Sequence, residues 1–257
     1  MNKAILAVSF GTSHEENLNK SIGAIETCLK DNFKNYKIYR AFTSRRIIKK
    51  LWEKSGIEVP SLEEAVIRIR ETGIEHLVVQ PAYVVHGFEY ERLKDVLEDY
   101  RDCFKTLKIG RPLLHREEDY KACVHCAVKD WRIARDEIIV IAGHGTQGDA
   151  QPAFTMLEYV FHSMGYTNVL VGTVRGYPGI SDVMQKLRYL DPGPIRIIPF
   201  MIVSGEHVRR DLAVGENSWL SRFGEAGYHA KVVERGLGEI EGIRKIFAEH
   251  VKEAMES

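Results

Sequence analysis

Short apolar runs alternate along the chain with longer stretches whose apolar residues recur every three or four positions. This alternation is typical of strand–helix units that build a parallel sheet. The predicted strands are Ala4–Phe10, Lys37–Ala41, His76–Val84, Thr106–Ile109, Ile138–Ala142, Val169–Thr173, Ile195–Ile202 and Lys231–Glu234. The predicted helices are Glu15–Asn32, Ser44–Ser55, Ser61–Thr72, Glu89–Asp102, Arg116–Lys129, Pro152–Met164, Gly179–Tyr189, His207–Leu212 and Glu239–Met255.

The second half of this pattern repeats the first. Residues 79–89 align without a gap with residues 197–207, so that Pro81 matches Pro199 and Gly87 matches Gly205. A second pair of segments, 5–12 and 139–146, aligns in the same way. The separations of 118 and 134 residues indicate a duplicated domain rather than a short solenoid repeat. We therefore predict an α/β protein with an N-terminal lobe at 1–130 and a C-terminal lobe at 131–257.

Composition narrows the function classes. The chain has 257 residues, enough for a large core, with 36 basic and 36 acidic side chains, so no polyanion such as nucleic acid is indicated as a partner. The sequence contains no run of 18 apolar residues, so no membrane-spanning helix is predicted. The first apolar stretch breaks at Gly11-Thr12 and is better explained as a strand than as a signal peptide. Four cysteines in a chain of this length suggest a reducing, cytoplasmic location.

Three candidate site residues fall in the turns that follow predicted strands. His144 follows the Ile138 strand, His207 the Ile195 strand, and Glu89 the His76 strand. Ligands of open parallel sheets bind at the carboxyl ends of the strands, where such turns lie. Imidazoles are ligands for transition metals, and a carboxylate can accept protons. A core or solvated histidine, or a helix-opening glutamate that favours the helix dipole, remains the alternative for each.

Further polar residues lie near the same turns. His86 and His14 are each as well explained by solvated turns as by accessory ligands, whereas His76, His162, His229 and His250 fall on strand starts or helix faces. The basic residues near these turns are Arg40, Arg45, Arg46, Arg175, Arg209 and Arg210. Guanidinium groups bind carboxylates in a bidentate manner, which would suit a small polycarboxylate.

Two motifs suggest other chemistries. Gly143-His-Gly145-Thr-Gln-Gly148 has the spacing of a dinucleotide fingerprint. However, no acidic residue ends the Val169–Thr173 strand, where the ribose ligand belongs. Cys123-Val-His-Cys126 has no second CxxC pair, and core packing explains it better than metal binding. No organic cofactor is expected.

The chain resembles the class II tetrapyrrole chelatases, and among them the anaerobic cobaltochelatases that act on sirohydrochlorin. The resemblance extends over nearly the whole chain, through Val8-Ser-Phe-Gly-Thr-Ser13, Tyr39-Arg-Ala-Phe-Thr-Ser44, Gly87-Phe-Glu89-Tyr-Glu91, Gly143-His-Gly145, Gly205-Glu-His207, Asn217-Ser-Trp219 and Gly236-Leu-Gly238-Glu239. It implies two flavodoxin-like lobes, each with a four-stranded parallel sheet flanked by helices, facing a central cleft. It also implies that His144, His207 and Glu89 bind the metal and carry the catalysis. His86 departs from the family pattern, where a smaller amide-like residue is expected.

The implied function is that of a lyase in cobalamin biosynthesis, which inserts Co(II) into a tetrapyrrole polycarboxylate with the release of two protons. The divalent metal would be a co-substrate. Fe(II) or Ni(II) insertion is the nearest alternative, and a carrier that binds metal or tetrapyrrole without turnover is the alternative of another class. The physiological metal, the orientation of the ring, the oligomeric state and the role of His86 stay open.

Overall fold

A computed structural model describes residues 2–146, 150–190, 193–205 and 208–256. It contains two four-stranded parallel sheets with helices packed against them, which confirms the predicted α/β fold class. The strands are β1 (Lys3–Ser9), β2 (Lys37–Phe42), β3 (His76–Pro81), β4 (Thr106–Ile109), β5 (Ile138–Gly143), β6 (Val169–Thr173), β7 (Ile195–Phe200) and β8 (Ala230–Val232).

The helices follow the predicted alternation. They are α1 (Glu15–Asn17), α2 (Ala24–Asn32), α3 (Arg45–Ser55), α4 (Leu62–Glu71), α5 (Phe88–Glu98), α6 (Glu117–Trp131), α7 (Pro152–Ser163), α8 (Ile180–Leu187), α9 (Trp219–Glu225) and α10 (Glu241–Glu256). Short π-helical segments occupy Leu18–Gly23 and Arg209–Ala213, and short 3-10 segments occupy Arg101–Cys103 and Leu237–Glu239. Helix α4 begins with a capping box, in which Ser61 accepts from the Glu64 backbone and Glu64 accepts from the Ser61 backbone.

The two sheets have the same strand order. The first is β2-β1-β3-β4 and the second is β6-β5-β7-β8, with all neighbours parallel. The central strands are buried on both faces, as expected for a parallel sheet covered by helices. Each sheet has its own apolar cluster, which includes Leu6, Val79 and Leu93 in the first and Val140, Ile197 and Phe223 in the second.

Contacts divide the chain into two compact units, Met1–His115 with Glu241–Ser257, and Arg116–Ile240. The last helix, α10, belongs to the first unit because its apolar face packs against α2, β3 and β4. There the buried His250 ring contacts the Arg111 carbonyl through Nδ1 at 3.1 Å, and Arg111 pairs with Glu253 at 3.0 Å. Helix α6 lies almost wholly within residues 1–130 but packs in the second unit, and α10 lies within residues 131–257 but packs in the first. The predicted division into lobes 1–130 and 131–257 follows the repeat in the sequence and stays a prediction.

Several elements differ from the sequence expectation, among them the predicted helix Glu15–Asn32, which the structure divides into α1, a π-helical segment and α2. Helix α9 was not predicted; Ser218 caps it by accepting from the Ser221 backbone, and Trp219 anchors it in the core. The predicted helix at His207–Leu212 appears as the π-helical segment Arg209–Ala213, while His207 lies outside the described residues. Strands β3 and β7 end before the predicted limits, because the chain leaves the sheet after Pro81 and after Phe200 to form loops.

Candidate functional site

The carboxyl end of the first sheet carries polar side chains that the fold buries. Ser9, Thr12 and Ser13 are each about 5 % exposed or less. The Ser9 hydroxyl and the His14 Nε2 atom are buried without a hydrogen-bond partner among the described residues. Buried polar atoms are normally paired. Unpaired atoms at the edge where parallel sheets bind ligands therefore mark this edge as a candidate site.

Glu89 lies at this same edge, in the first turn of α5. Gly87 is the N-cap of the helix and has an extended backbone, and the exposed Phe88 is its first residue. Glu89 comes next, is half-buried, and is the first acidic residue of the helix. The Thr43 hydroxyl, which follows β2, contacts Glu89 Oε2 at 3.4 Å. An acidic side chain is a common residue in the first turn of a helix, where the backbone N–H groups are not bonded within the helix.

Tyr83 contributes a second polar group beside Glu89. Its side chain is 7 % exposed, and its hydroxyl lies near the side chains of Thr43 and Glu89. Burial raises the pKa of the Tyr83 phenol well above its usual value, and the nearby Glu89 charge adds to the rise. The phenol therefore stays protonated at neutral pH and can donate a hydrogen bond at this edge.

His144 lies on the loop after β5 in the second unit. Its ring is exposed, with Nδ1 3.2 Å from the Gly145 carbonyl, while its own carbonyl accepts from the Arg175 backbone at 2.9 Å. Gly145 has a φ of +84°, and a Cβ there would lie 1.6 Å from the Arg175 carbonyl oxygen. A Cβ at Gly143 would lie 2.1 Å from the Phe154 ring. Both glycines are therefore required by packing, and neither needs a bound pyrophosphate to explain it.

His207 is not among the described residues, but the loop that precedes it is. Residues 201–204 follow β7 and are bound by the segment after β8 through two backbone hydrogen bonds, Leu237 to Met201 at 2.8 Å and Gly238 to Ile202 at 3.0 Å. A Cβ at Gly236 would lie 2.5 Å from the Ile202 carbonyl oxygen. The Gly236-Leu-Gly238 motif thus supports the loop that leads to His207.

His86 lies beside a histidine that the sequence analysis did not consider. Its Nδ1 atom is 3.4 Å from Nδ1 of His115, and its Nε2 atom pairs with Glu91. The two histidines end matching segments, Tyr83-Val-Val-His86 after β3 and Pro112-Leu-Leu-His115 after β4. This match after neighbouring strands was the signal in the sequence that could have identified His115.

The predicted arginines divide into two groups. Arg40 donates to Glu26 through Nε at 2.6 Å in a partly buried ion pair, and Arg210 pairs with Asp211 at 2.7 Å. These two are therefore engaged within the protein. The remaining candidates are exposed, namely Arg45, Arg46, Arg175 and Arg209.

Other histidines serve the fold. His76 contacts Thr106 at 3.0 Å across β3 and β4, and His162 contacts the Val169 carbonyl at 2.8 Å. Of the CxxC pair, Cys123 is fully buried in α6, and burial raises its pKa well above the usual value of a thiol. These contacts agree with the structural roles predicted for His76 and His162 and with the core packing predicted for the CxxC pair.

No group of three or more His, Cys, Asp or Glu side chains is arranged to hold a metal ion within residues 2–146, 150–190, 193–205 and 208–256. Because His207 lies outside these ranges, the predicted set of His144, His207 and Glu89 stays a prediction. Over the same part of the chain, no helix combines the length and apolar character needed to span a bilayer.

Two proteins with similar sequences are both named sirohydrochlorin cobaltochelatase. Over 257 residues the chain is 32% identical to the sirohydrochlorin cobaltochelatase of Salmonella typhimurium, covering 99% of this chain and 97% of the relative. Over 258 residues it is 25% identical to the sirohydrochlorin cobaltochelatase CbiKC of Nitratidesulfovibrio vulgaris, covering 98% and 90% of the two chains.

Solved structures show the same fold at low sequence identity. SirB of Bacillus subtilis, solved with Fe3+, superposes with a TM-score of 0.69 at 17% identity, covering 99% of this chain and 96% of SirB. A cobalt complex of the sirohydrochlorin chelatase SirB from Bacillus subtilis subspecies spizizenii gives 0.65 at 15% identity, covering 100% and 96%. The model of the cobalt chelatase (CbiK) family matches residues 3–256. The resemblance inferred from the sequence is thereby confirmed, and the chain belongs to the cobalt chelatase family.

Proposed function

We propose that this protein inserts Co(II) into sirohydrochlorin in cobalamin biosynthesis, with the release of two pyrrole protons. The observation that carries the proposal is the full-length match to a relative named for this reaction, at 32% identity over 99% of the chain. Two further features of the chain support it. A carboxylate lies at the ligand-binding edge of the first sheet, and an exposed imidazole follows the central strand of the second.

The two imidazoles are proposed as ligands of the incoming metal. Neutral imidazole binds Co(II) and its neighbours in the first transition series. The ring of His144 is exposed, whereas its backbone carbonyl accepts a hydrogen bond from Arg175 in the loop after β6. His144 suits the ligand role because this hydrogen bond fixes the position of its backbone. His207 is proposed as the second ligand from its place in the family motif Gly205-Glu-His207.

Glu89 is proposed as the proton acceptor. The macrocycle must lose two pyrrole protons while the metal sheds its water molecules, so the reaction needs a base as well as metal ligands. The half-buried carboxylate at the start of α5, beside Thr43 and Tyr83, is the described group best placed for this role in the first unit. The exposed arginines at the strand ends, Arg45 and Arg175 among them, would bind carboxylates of the ring substrate.

The test is anaerobic incubation of the full chain with sirohydrochlorin and either Co(II), Fe(II) or Ni(II), with the visible spectrum of the ring as the readout. The proposal expects catalytic turnover with Co(II) at a higher rate than with the other two metals. Preferred turnover with Fe(II) or Ni(II) would assign the protein to another metal. Binding of ring and metal without acceleration over the protein-free reaction would identify a carrier and overturn the proposal.

Single substitutions separate the proposed roles. Glu89→Gln keeps the shape of the side chain but removes the base, so we expect metal binding to be retained and the insertion rate to fall about 10²–10⁴-fold. Glu98→Gln is the matched control, since Glu98 lies on the same helix and forms an exposed ion pair with Arg101. An unchanged insertion rate in Glu89→Gln would remove Glu89 from the mechanism.

The ligand role is tested with His144→Ala and His207→Ala. We expect each to weaken Co(II) binding and to slow insertion, because each removes one of the imidazoles that hold the metal. The exposed His125 on α6 provides the control, and His125→Ala should match the wild type. Undiminished Co(II) binding in both site variants would contradict the assignment.

The cellular setting is proposed on the same basis. The four cysteines all lie in the described part of the chain and none of them forms a disulfide, in keeping with the reducing conditions of the cytoplasm. The equal numbers of acidic and basic side chains favour a small-molecule substrate over nucleic acid. Whether copies of the chain assemble into a homo-oligomer is left to measurement of the mass in solution.

A further inference from the structure

The loops that follow β3 and β4 run side by side beyond the sheet. Leu113 donates a backbone hydrogen bond to Tyr83 at 2.9 Å and Leu114 donates one to Val84 at 2.8 Å. A parallel bridge then pairs Val85 with Leu114. The next residues along the two loops are His86 and His115, so the extended pairing brings the two rings together.

The two rings approach each other through the same nitrogen. The Nδ1 atoms are 3.4 Å apart, whereas the ring centroids are 5.3 Å apart, so the nitrogens point toward each other. Two nitrogens bound at about 2.0–2.1 Å to one tetrahedral metal ion are separated by about 3.4 Å. The spacing of this pair is therefore that of two adjacent ligands on such an ion.

The remaining nitrogen of His86 is held by a carboxylate. Glu91 on α5 accepts from His86 Nε2, and Lys94 holds the other oxygen of Glu91 at 2.7 Å. Tyr90 packs edge-on against the His86 ring with centroids 4.5 Å apart. Metal-binding histidines usually donate their second N–H to a carboxylate, which directs the free nitrogen toward the metal. His86 has this arrangement, with Nε2 toward Glu91 and Nδ1 toward His115.

We propose that His86 and His115 form a second binding site for a divalent transition-metal ion of the Co(II)-to-Zn(II) class. Nδ1 of each ring binds the ion, Glu91 orients His86, and water completes the coordination shell. The site is open to solvent, since the His86 side chain is 35% exposed and His115 is exposed. Two protein ligands with water give a weaker, exchangeable site than a closed structural one.

This pair is distinct from the group around Glu89. Positions 89 and 91 of a helix differ by about 200° around its axis, so their side chains leave α5 on different sides. Accordingly, Glu89 contacts Thr43, which follows β2, whereas Glu91 contacts His86, whose partner His115 follows β4. In the strand order β2-β1-β3-β4, strands β2 and β4 lie on opposite sides of β3.

The test measures metal bound by the full chain in the absence of any tetrapyrrole. The background is His144→Ala/His207→Ala, which removes the proposed substrate-metal ligands, and the probe is Co(II), followed by equilibrium dialysis and visible absorption. We expect this double variant to bind one equivalent of Co(II), and to lose it when His115→Ala or His86→Ala is added. Adding Glu91→Gln should weaken binding about 10–100-fold, because the carboxylate no longer orients the ring. Adding His125→Ala should change nothing.

Two results would overturn the inference. Either the double variant binds no Co(II), in which case the two rings form a hydrogen-bonded pair only, or it keeps its Co(II) after His115→Ala, in which case the ion lies elsewhere. Because no macrocycle is used, these results are independent of the insertion assay. Failure of the proposed chelatase activity in the wild type would leave them unaffected.

Discussion

Gly145→Ala is the substitution that most directly tests how the fold positions His144. Gly145 has a φ of +84°, and its added Cβ would lie 1.6 Å from the backbone oxygen of Arg175. That oxygen belongs to the main chain of the facing loop, so rotation of a side chain cannot remove the clash. Relief requires the two loops to separate, which breaks the hydrogen bond from Arg175 to His144 at 2.9 Å.

The magnitude follows from a matched pair of glycines. Gly227, after helix α9, has the same φ of +84° but no heavy atom within 4 Å of its would-be Cβ. Gly227→Ala therefore incurs only the left-handed backbone cost, about 1–2 kcal/mol. Gly145→Ala adds the overpacking cost of about 1–3 kcal/mol. We expect the free energy of unfolding of the second unit to fall more in Gly145→Ala by that difference.

Denaturant titration with tryptophan emission measures this difference. Trp131 and Trp219 are each 4% exposed and both belong to the second unit, whereas Trp52 is 61% exposed, so the buried pair should dominate the change. Insertion of Co(II) is measured on the same samples. We expect Gly227→Ala to keep its rate and Gly145→Ala to lose most of it, because His144 moves with its loop. Equal losses of stability, or a normal insertion rate in Gly145→Ala, would refute the reasoning.

Two further predictions concern ionisable groups away from the site. The Ser61 backbone N–H lowers the pKa of Glu64, so the stabilisation is present above the ordinary carboxyl pKa and is lost as the pH falls through the folded one. Glu64→Ala should therefore destabilise the protein more at pH 7 than at pH 3 in denaturant titrations, and an equal loss at both would contradict the capping role. Cys123, buried and with a raised pKa, should react with a thiol reagent only after unfolding, whereas labelling in the native protein at the rate of Cys126 would contradict its burial.

Local pattern was sufficient for the regular elements. Strands β4 and β6 have the predicted limits, because a short apolar run between turn residues is recognised without tertiary information. Helix α9 was missed because its seven residues are too few to show a helical period, although Ser218 and the buried Trp219 mark its start. The membership of α10 in the first unit depends on contacts with α2 and β3, which no local pattern reveals.

The candidate site was predictable only in part, for the same reason. Glu89 and His144 could be named as candidates because each lies in the segment that follows a buried strand, a position visible in the sequence; their roles stay a prediction. The pairing of His86 with His115 was missed because it depends on the bridge between Val85 and Leu114, residues distant in the chain. A partner supplied by tertiary structure cannot be read from the neighbours of either residue.

The register of the two sheets supports the internal repeat. In the first sheet Val8 lies opposite Pro81, and in the second Ala142 lies opposite Pro199. These are the same pairs that the two alignments of the sequence relate, one with a separation of 134 residues and the other with 118. Two independent sequence offsets therefore converge on one strand pairing, which a chance likeness of short motifs would not produce.

The turns after β1 and β5 show what the duplicated scaffold kept and what it changed. Gly11 and Gly145 both have positive φ, +97° and +84°, and in each turn an added Cβ would collide with the neighbouring loop or strand. The residue before each glycine is exposed, but it is Phe10 in the first turn and His144 in the second. Because Phe10 and His144 precede glycines that both have a positive φ, the backbone of this turn accepts either side chain. The geometry of the turn therefore does not require an imidazole at position 144. Its presence in only one of two equivalent turns is what favours a chemical role for His144 over a structural one.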